Sequence, residues 1–157
     1  MPTAMPALDH PIAANHSTSI VVDFPFGICG GTGTFGAQFR PEAQVLATAD
    51  GHPRAAGFIA RVPAPTVTGI RKHAFYAGLI RIWRAAAGNS PAQVRAARLD
   101  ARKMNVGWVL VWPQQQVLGR TRVEYWNQGV IAYLGRTGFR FAYQADGVLV
   151  YRAAGVK

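Results

Sequence analysis

The chain has one cysteine, Cys29, in 157 residues. No intrachain disulfide can form, and no cysteine-based metal site is possible. Without a histidine near it in sequence, Cys29 reads as a small packed residue rather than a nucleophile. The four histidines, His10, His16, His52 and His73, are dispersed and make no metal-ligand set, so no metal is expected. No G-x-S-x-G element is present, which leaves nucleophilic hydrolysis without support. Acidic residues are scarce too, seven against seventeen basic ones, for a net charge of +10. Long apolar runs are missing. The longest, Val106–Pro113, is strand-sized and far short of the ~20 residues of a membrane-spanning helix. Residues 1–17 contain no Lys or Arg and no apolar stretch, so they do not read as a signal peptide. Any targeting element is expected on sequence outside this chain.

Half of the residues are hydrophobic and 15% are charged, a composition that excludes an intrinsically disordered protein. The length suits one domain with a buried core. The basic excess, mostly arginine, favours phosphate-bearing partners as a class. Because the charge is scattered, it selects no particular one, and a solvated basic surface is an equal reading.

Residues 1–17, rich in Pro and Ala, read as a disordered linker, 18–153 as the folded domain and 154–157 as a tail. Ser19–Phe24 is a β-branched, apolar strand bounded by Pro25 and Gly27. Gly27–Gly36 holds five glycines in ten positions and reads as a loop. Pro41–Ala49 suits a short helix with Pro41 at its first position, and Ala55–Val62 a second strand. Between Thr66 and Ala87, Phe75, Leu79, Ile82, Trp83 and Ala86 recur at helical spacing and predict one helix ended by Gly88.

Ser90 and Gln93 form a capping box with Pro91 at the first helical position. That helix runs to about Met104, where Asn105 supplies a left-handed stop. Val106–Trp112 is apolar throughout, as a central strand covered on both faces should be. Trp108 and Trp112 would point to the same side, into the core. A second capping box, Thr121 to Glu124, opens a helix ended by Gly135 or Gly138. Asp146-Gly147, between Phe139–Tyr143 and Val148–Arg152, marks a C-terminal β-hairpin. The expectation is a single α/β domain with a mixed, mostly parallel sheet of about five strands flanked by helices.

Chemistry-bearing patterns are few. Gly31, Gly33 and Gly36 spell G-x-G-x-x-G, yet six residues separate the strand from Gly31, and Pro41 interrupts any helix starting inside the motif. A ligand-covering glycine loop is the better reading, and nucleotide binding the weaker one. Asp23 ends an apolar strand and needs a partner there; Arg61, on the next strand, is the candidate. Asp23 could then orient a ligand or form a structural ion pair. Arg95, Arg98 and Arg102 share one helix face, read as a solvated surface because no aromatic platform interleaves with it. A nucleic-acid partner is therefore not expected, although a basic nucleic-acid-binding module remains a third alternative. No catalytic residue and no cofactor is assigned.

Read together, Val21-Val22-Asp23-Phe24-Pro25-Phe26-Gly27, the glycine segment, Gly51-His52-Pro53, Gly57-Phe58-Ile59-Ala60-Arg61-Val62-Pro63 and Asp146–Arg152 resemble a known pattern. They are similar to the soluble C-terminal domains of multi-pass, polyprenyl-phosphate-sugar-dependent membrane glycosyltransferases of the GT-C type. The resemblance spans about residues 18–153. It departs from the family at Asp50, where the family usually has His, and at Ala60, where it has Ser. It implies an extracytoplasmic accessory domain on a bacterial membrane, with no catalysis of its own. The catalytic acids of that family lie in its transmembrane region, which would be the missing partner. Anionic lipid, a polyprenyl-phosphate sugar or a glycan acceptor would be further partners. Arg61 would clamp a phosphate or carboxylate, Gly31, Gly33 and Gly36 would cover it, and Asp23 and His52 would supply hydrogen bonds. The alternative is a stand-alone nucleotide- or phosphate-ligand-binding α/β protein, which would be cytoplasmic.

Overall fold

The computed structural model describes residues 7–8, 10–15, 18–25, 27–30, 33–36, 41–55, 57–59, 64–84, 88–112 and 125–155. Within them the chain forms α1 (His10–Ala13), β1 (Ile20–Phe24), β2 (Gly27–Gly30), β3 (Gly33–Gly36), α2 (Pro41–Asp50), β4 (Gly57–Ile59) and α3 (Ala64–Lys72). It continues with α4 (Ala74–Trp83), α5 (Pro91–Lys103), β5 (Val106–Val111), α6 (Tyr125–Thr137), β6 (Phe139–Ala145) and β7 (Val148–Ala153).

The α/β class is as expected, but the strands are divided and paired differently. One sheet has four strands in the order β1-β5-β7-β6. Only β1 and β5 run parallel in it; β7 lies antiparallel to both β5 and β6. A second sheet, β3-β2-β4, takes β2 and β3 from the glycine segment read as a loop and β4 from within the expected second strand. There Gly27 faces Gly36 and Gly30 faces Gly33 across an antiparallel pair. Paired backbone satisfies its own polar groups in place of side-chain packing, which is why a composition rich in glycine can still form strands. The sheet is therefore neither five-stranded nor mostly parallel.

β5 is buried at every position. It occupies the centre, as its unbroken apolar sequence requires. On one face Val22, Phe24, Val109 and Tyr151 meet Phe75, Leu79, Val94, Ala97, Val130 and Leu134 from α4, α5 and α6. On the other, Val21, Trp108, Leu110, Trp112, Val148 and Val150 are covered by Leu8, Ile12 and Leu46. The segment read as a disordered linker thus contributes Ile12, fully buried, to the second core layer. Leu8 and Ile12, in a short stretch rich in Pro and Ala, carry no sustained periodicity, so only the sheet face they cover reveals their role.

Several local signals appear where their chemistry places them. Asn105 and Asp146 have positive φ, 57° and 51°, and Gly147 has φ 76°, giving the helix stop and the tight hairpin turn. Ser90 Oγ accepts from Gln93 N at 3.3 Å, and Gln93 Oε1 accepts from Ser90 N at 2.8 Å, a complete capping box. Ser90→Ala should lower stability by about 1 kcal/mol, read as a lower urea midpoint with an unchanged slope. The second box, Thr121 to Glu124, lies outside the described residues.

The single helix expected over 66–87 is two helices, α3 and α4, parted at the extended residue His73. The cause lies in α5. Asp100 Oδ2 accepts the Phe75 N–H at 3.1 Å and Asp100 Oδ1 meets His73 Nδ1 at 3.0 Å. A carboxylate twenty-five residues away in sequence caps the new N-terminus, which holds orphan N–H groups and the positive end of the helix dipole.

Candidate functional site

The outer edge of β1 receives a short parallel bridge from the segment after α2. Val21 N donates to Pro53 O at 2.9 Å and Ala55 N to Val21 O at 3.1 Å. This pairing fixes residues 52–55 beside β1. It sends Arg54 inward to Asp23, with Arg54 Nη1 to Asp23 Oδ1 at 3.1 Å and Oδ2 at 3.3 Å. Arg54 Nη2 also donates to Asp50 Oδ2 at 2.5 Å, one helical turn back along the chain. Trp112 Nε1 completes the set by donating to Asp23 Oδ1 at 2.7 Å.

Among the described residues Arg54 is the cation that pairs with Asp23. The expected partner, Arg61, and Gly31 lie outside the described residues. Gly33 and Gly36 are the ends of β3 in the second sheet. Their strand geometry differs from the strand-turn-helix of a dinucleotide site, where the glycines open a helix. Asp23 is buried at 3% exposure and fully engaged, so it serves as an ion-pair anchor inside the fold. Burial pushes its carboxyl above the ordinary value, against the opposing pull of Arg54 and of the Trp112 N–H. His52 is also buried, its ring nitrogens turned to backbone carbonyls of residues 12, 15 and 19. Neither side chain opens to a ligand.

A groove of about 800 Å³ does open, elsewhere, on the sheet face that α1 covers only in part. Pro11, Ala14 and Asn15 form one wall; Trp108, Arg152 and Arg140 lie across its base on three successive strands. The register sets Trp108 opposite Arg152, and Arg152 opposite Arg140. Residues directly opposite in an antiparallel pair project to the same side. The Arg152 guanidinium carbon sits 5.5 Å from the Trp108 ring centroid, a cation–π arrangement that holds the charge in place. Arg140 is exposed beside it. None of the groove residues among those described is acidic. An anion placed between the two guanidiniums would be met from both sides.

Sequence reasoning missed this pair because Arg140 and Arg152 flank a hairpin and look like ordinary polar positions of alternating strands. The signal was present in the hairpin itself. Setting the turn at Asp146-Gly147 and counting outward brings the two arginines near one another, although the irregularity between Phe141 and Tyr143 shifts the count. The basic face of α5, with Arg95, Arg98 and Arg102 exposed, remains the solvated surface expected of it.

Among the described residues no His, Cys, Asp and Glu cluster could hold a metal ion, and no helix is long and apolar enough to cross a membrane. The chain matches no protein-family model, and no curated protein or solved structure proved similar to it.

Proposed function

We propose that this chain is a ligand-binding domain, without catalysis of its own, that takes a phosphate-bearing ligand in the groove over Trp108, Arg140 and Arg152. The carrying observation is the opposed arginine pair: two guanidiniums at register positions of β6 and β7, in a groove whose described lining residues include no acid. Arginine's planar fork matches phosphate oxygens two at a time, and bonds to charged groups are the strong ones. The +10 charge adds long-range attraction for the same ligands.

If the resemblance to glycosyltransferase C-terminal domains holds, the ligand is the phosphate-linked sugar donor, met at a membrane surface by an accessory domain of a larger enzyme. If the chain acts alone, a soluble phosphate ester is the ligand. The arginine pair serves both settings. It replaces Arg61 and the glycine segment as the place where the oxyanion is expected to sit.

Calorimetric titration with inorganic pyrophosphate, then with a nucleoside diphosphate, tests the reading. Binding should weaken with salt, and Arg140→Gln should reduce affinity about tenfold, the value of one charge-assisted hydrogen bond. Without ligand, the same substitution at this exposed position should change stability by no more than about 0.5 kcal/mol. A loss of binding without a loss of stability separates a functional arginine from a structural one. No heat and no rise in melting temperature at about 10 mM pyrophosphate would end the proposal.

A further inference from the structure

His52 is 4% exposed, and both of its ring nitrogens are committed. Nδ1 lies 2.8 Å from Ser19 O. Nε2 lies 2.8 Å from Asn15 O and 3.1 Å from Ile12 O. Carbonyl oxygens only accept, whereas a neutral imidazole offers one N–H and one bare lone pair. In either neutral tautomer that lone pair would face a carbonyl oxygen at contact distance, with no proton between them. Only the imidazolium, with an N–H on each side, satisfies the arrangement.

Charge balance points the same way. Asp23 and Asp50 are buried carboxylates that share the single guanidinium of Arg54. Asp50 Oδ1 also accepts the His52 backbone N–H at 2.8 Å, which ties residue 52 to this acidic pair. Among the described residues the cluster holds two carboxylates and one guanidinium, an excess of negative charge that favours a cation nearby.

Two of the carbonyls that His52 grips, those of Ile12 and Asn15, belong to the N-terminal strap, in or just after α1, and the third, Ser19 O, lies just before β1. A further tie of the strap is Tyr143 Oη, which donates to Leu8 O at 2.6 Å. Asn15 and its neighbours Pro11 and Ala14 are the wall of the arginine groove, and Tyr143 lines it too. We propose that His52, as an imidazolium, is a positioning residue that latches the N-terminal strap to the sheet and so sets the wall of the anion groove. Loss of the ring proton removes one of the two donors and leaves a lone pair opposed to a carbonyl. The strap then loosens and the groove loses its wall. The consequence for binding rests on the groove reading above; the latch itself does not.

Among the described residues, the carbonyls of Ile12, Asn15 and Ser19 meet the His52 ring, and from α2 Asp50, paired with Arg54, meets its backbone N–H. His10 and His16 are the other histidines of the N-terminal segment and need a control. Three measurements on the full chain test the latch. Ring-nitrogen NMR of the histidine-labelled protein near neutral pH should show one histidine with both nitrogens protonated, absent from His52→Gln. Amide exchange over residues 8–15 should speed up severalfold as pH rises from about 5.5 to 8.5, after correction for intrinsic exchange. Sulfate keeps a constant charge over that range, and its affinity should fall roughly fivefold or more as the wall is lost. The H10A/H16A variant should keep the whole profile, and His52→Phe should be loose at every pH.

A neutral-tautomer signature for His52 in the wild-type chain overturns the proposal, and so does pH-independent exchange of the strap. A profile that vanishes in H10A/H16A assigns the latch to the wrong histidine and overturns it as well. If sulfate fails to bind at any pH while the exchange profile holds, the groove reading falls and the latch stands.

Discussion

Replacing Arg54 by methionine should cost about 3–5 kcal/mol, enough to consume much of the stability of a domain this size. The guanidinium is 2% exposed and joins two carboxylates that are themselves 4% and 0% exposed in their side chains. Methionine fills the space but leaves both acids in the interior without the guanidinium that joins them. In water a pair of this kind would contribute little; here the penalty comes from desolvated charge without its counterpart. Urea unfolding followed by tryptophan fluorescence reads the loss, since Trp112 donates to Asp23 within the same cluster.

The variant also carries a distinctive pH dependence. Burial already pushes the Asp23 carboxyl upward while Arg54 opposes the shift. With the cation gone, the upward shift grows. A folded state that holds its carboxyl protons to higher pH than the unfolded chain gains stability as pH falls and loses it as pH rises through the folded value. Arg54→Met should therefore recover part of its loss on acidification toward about pH 4.5, opposite to the usual acid destabilisation. Adding Asp50→Asn should reduce the cost of Arg54→Met, because the two changes act on one network. A loss below about 1 kcal/mol, the range of an exposed ion pair, would show that the cluster is not buried in solution.

The second large effect is expected at Gly78 in α4. A Cβ there would fall within 2.5 Å of Tyr133 Cζ and 2.8 Å of Cε2, and closer still to the hydroxyl. Tyr133 has no easy retreat. It is 3% exposed, stacked on Phe75 with centroids 5.9 Å apart, and its hydroxyl donates to Phe75 O at 2.9 Å. Gly78→Ala should gain up to ~1 kcal/mol of helix propensity and lose about 1–3 kcal/mol to overpacking, with the tyrosine's hydrogen bond broken as well. Overpacking wins, and the net result is destabilising. Gly135→Ala in α6 supplies the contrast. Nothing lies within 4 Å of its would-be Cβ, so propensity acts alone and stability should rise by roughly 0.5–1 kcal/mol. The same substitution in two neighbouring helices thus has opposite signs. Equal shifts in thermal midpoint at the two sites would contradict the close approach of α4 and α6.

What could be read from the chain alone was whatever neighbours in sequence decide between themselves. Ser90 and Gln93 cap each other across three positions, Asn105 takes the left-handed turn, Asp146 and Gly147 fold the hairpin, and the apolar run of β5 demands a central, twice-covered place. Each is a local energy difference of about 1 kcal/mol written into a few contiguous residues. The remainder depended on residues that meet only after the chain has folded. Asp100 divides one amphipathic stripe into α3 and α4, Leu8 and Ile12 turn an irregular lead-in into a core strap, and the bridge from residues 53–55 to Val21 brings Arg54 to Asp23. Periodicity reports which side of an element is apolar, and charge reports which partners are possible. Neither says which of several arginines arrives beside a given carboxylate, or that two will face each other over Trp108, because burial and strand register are properties of the assembled sheet.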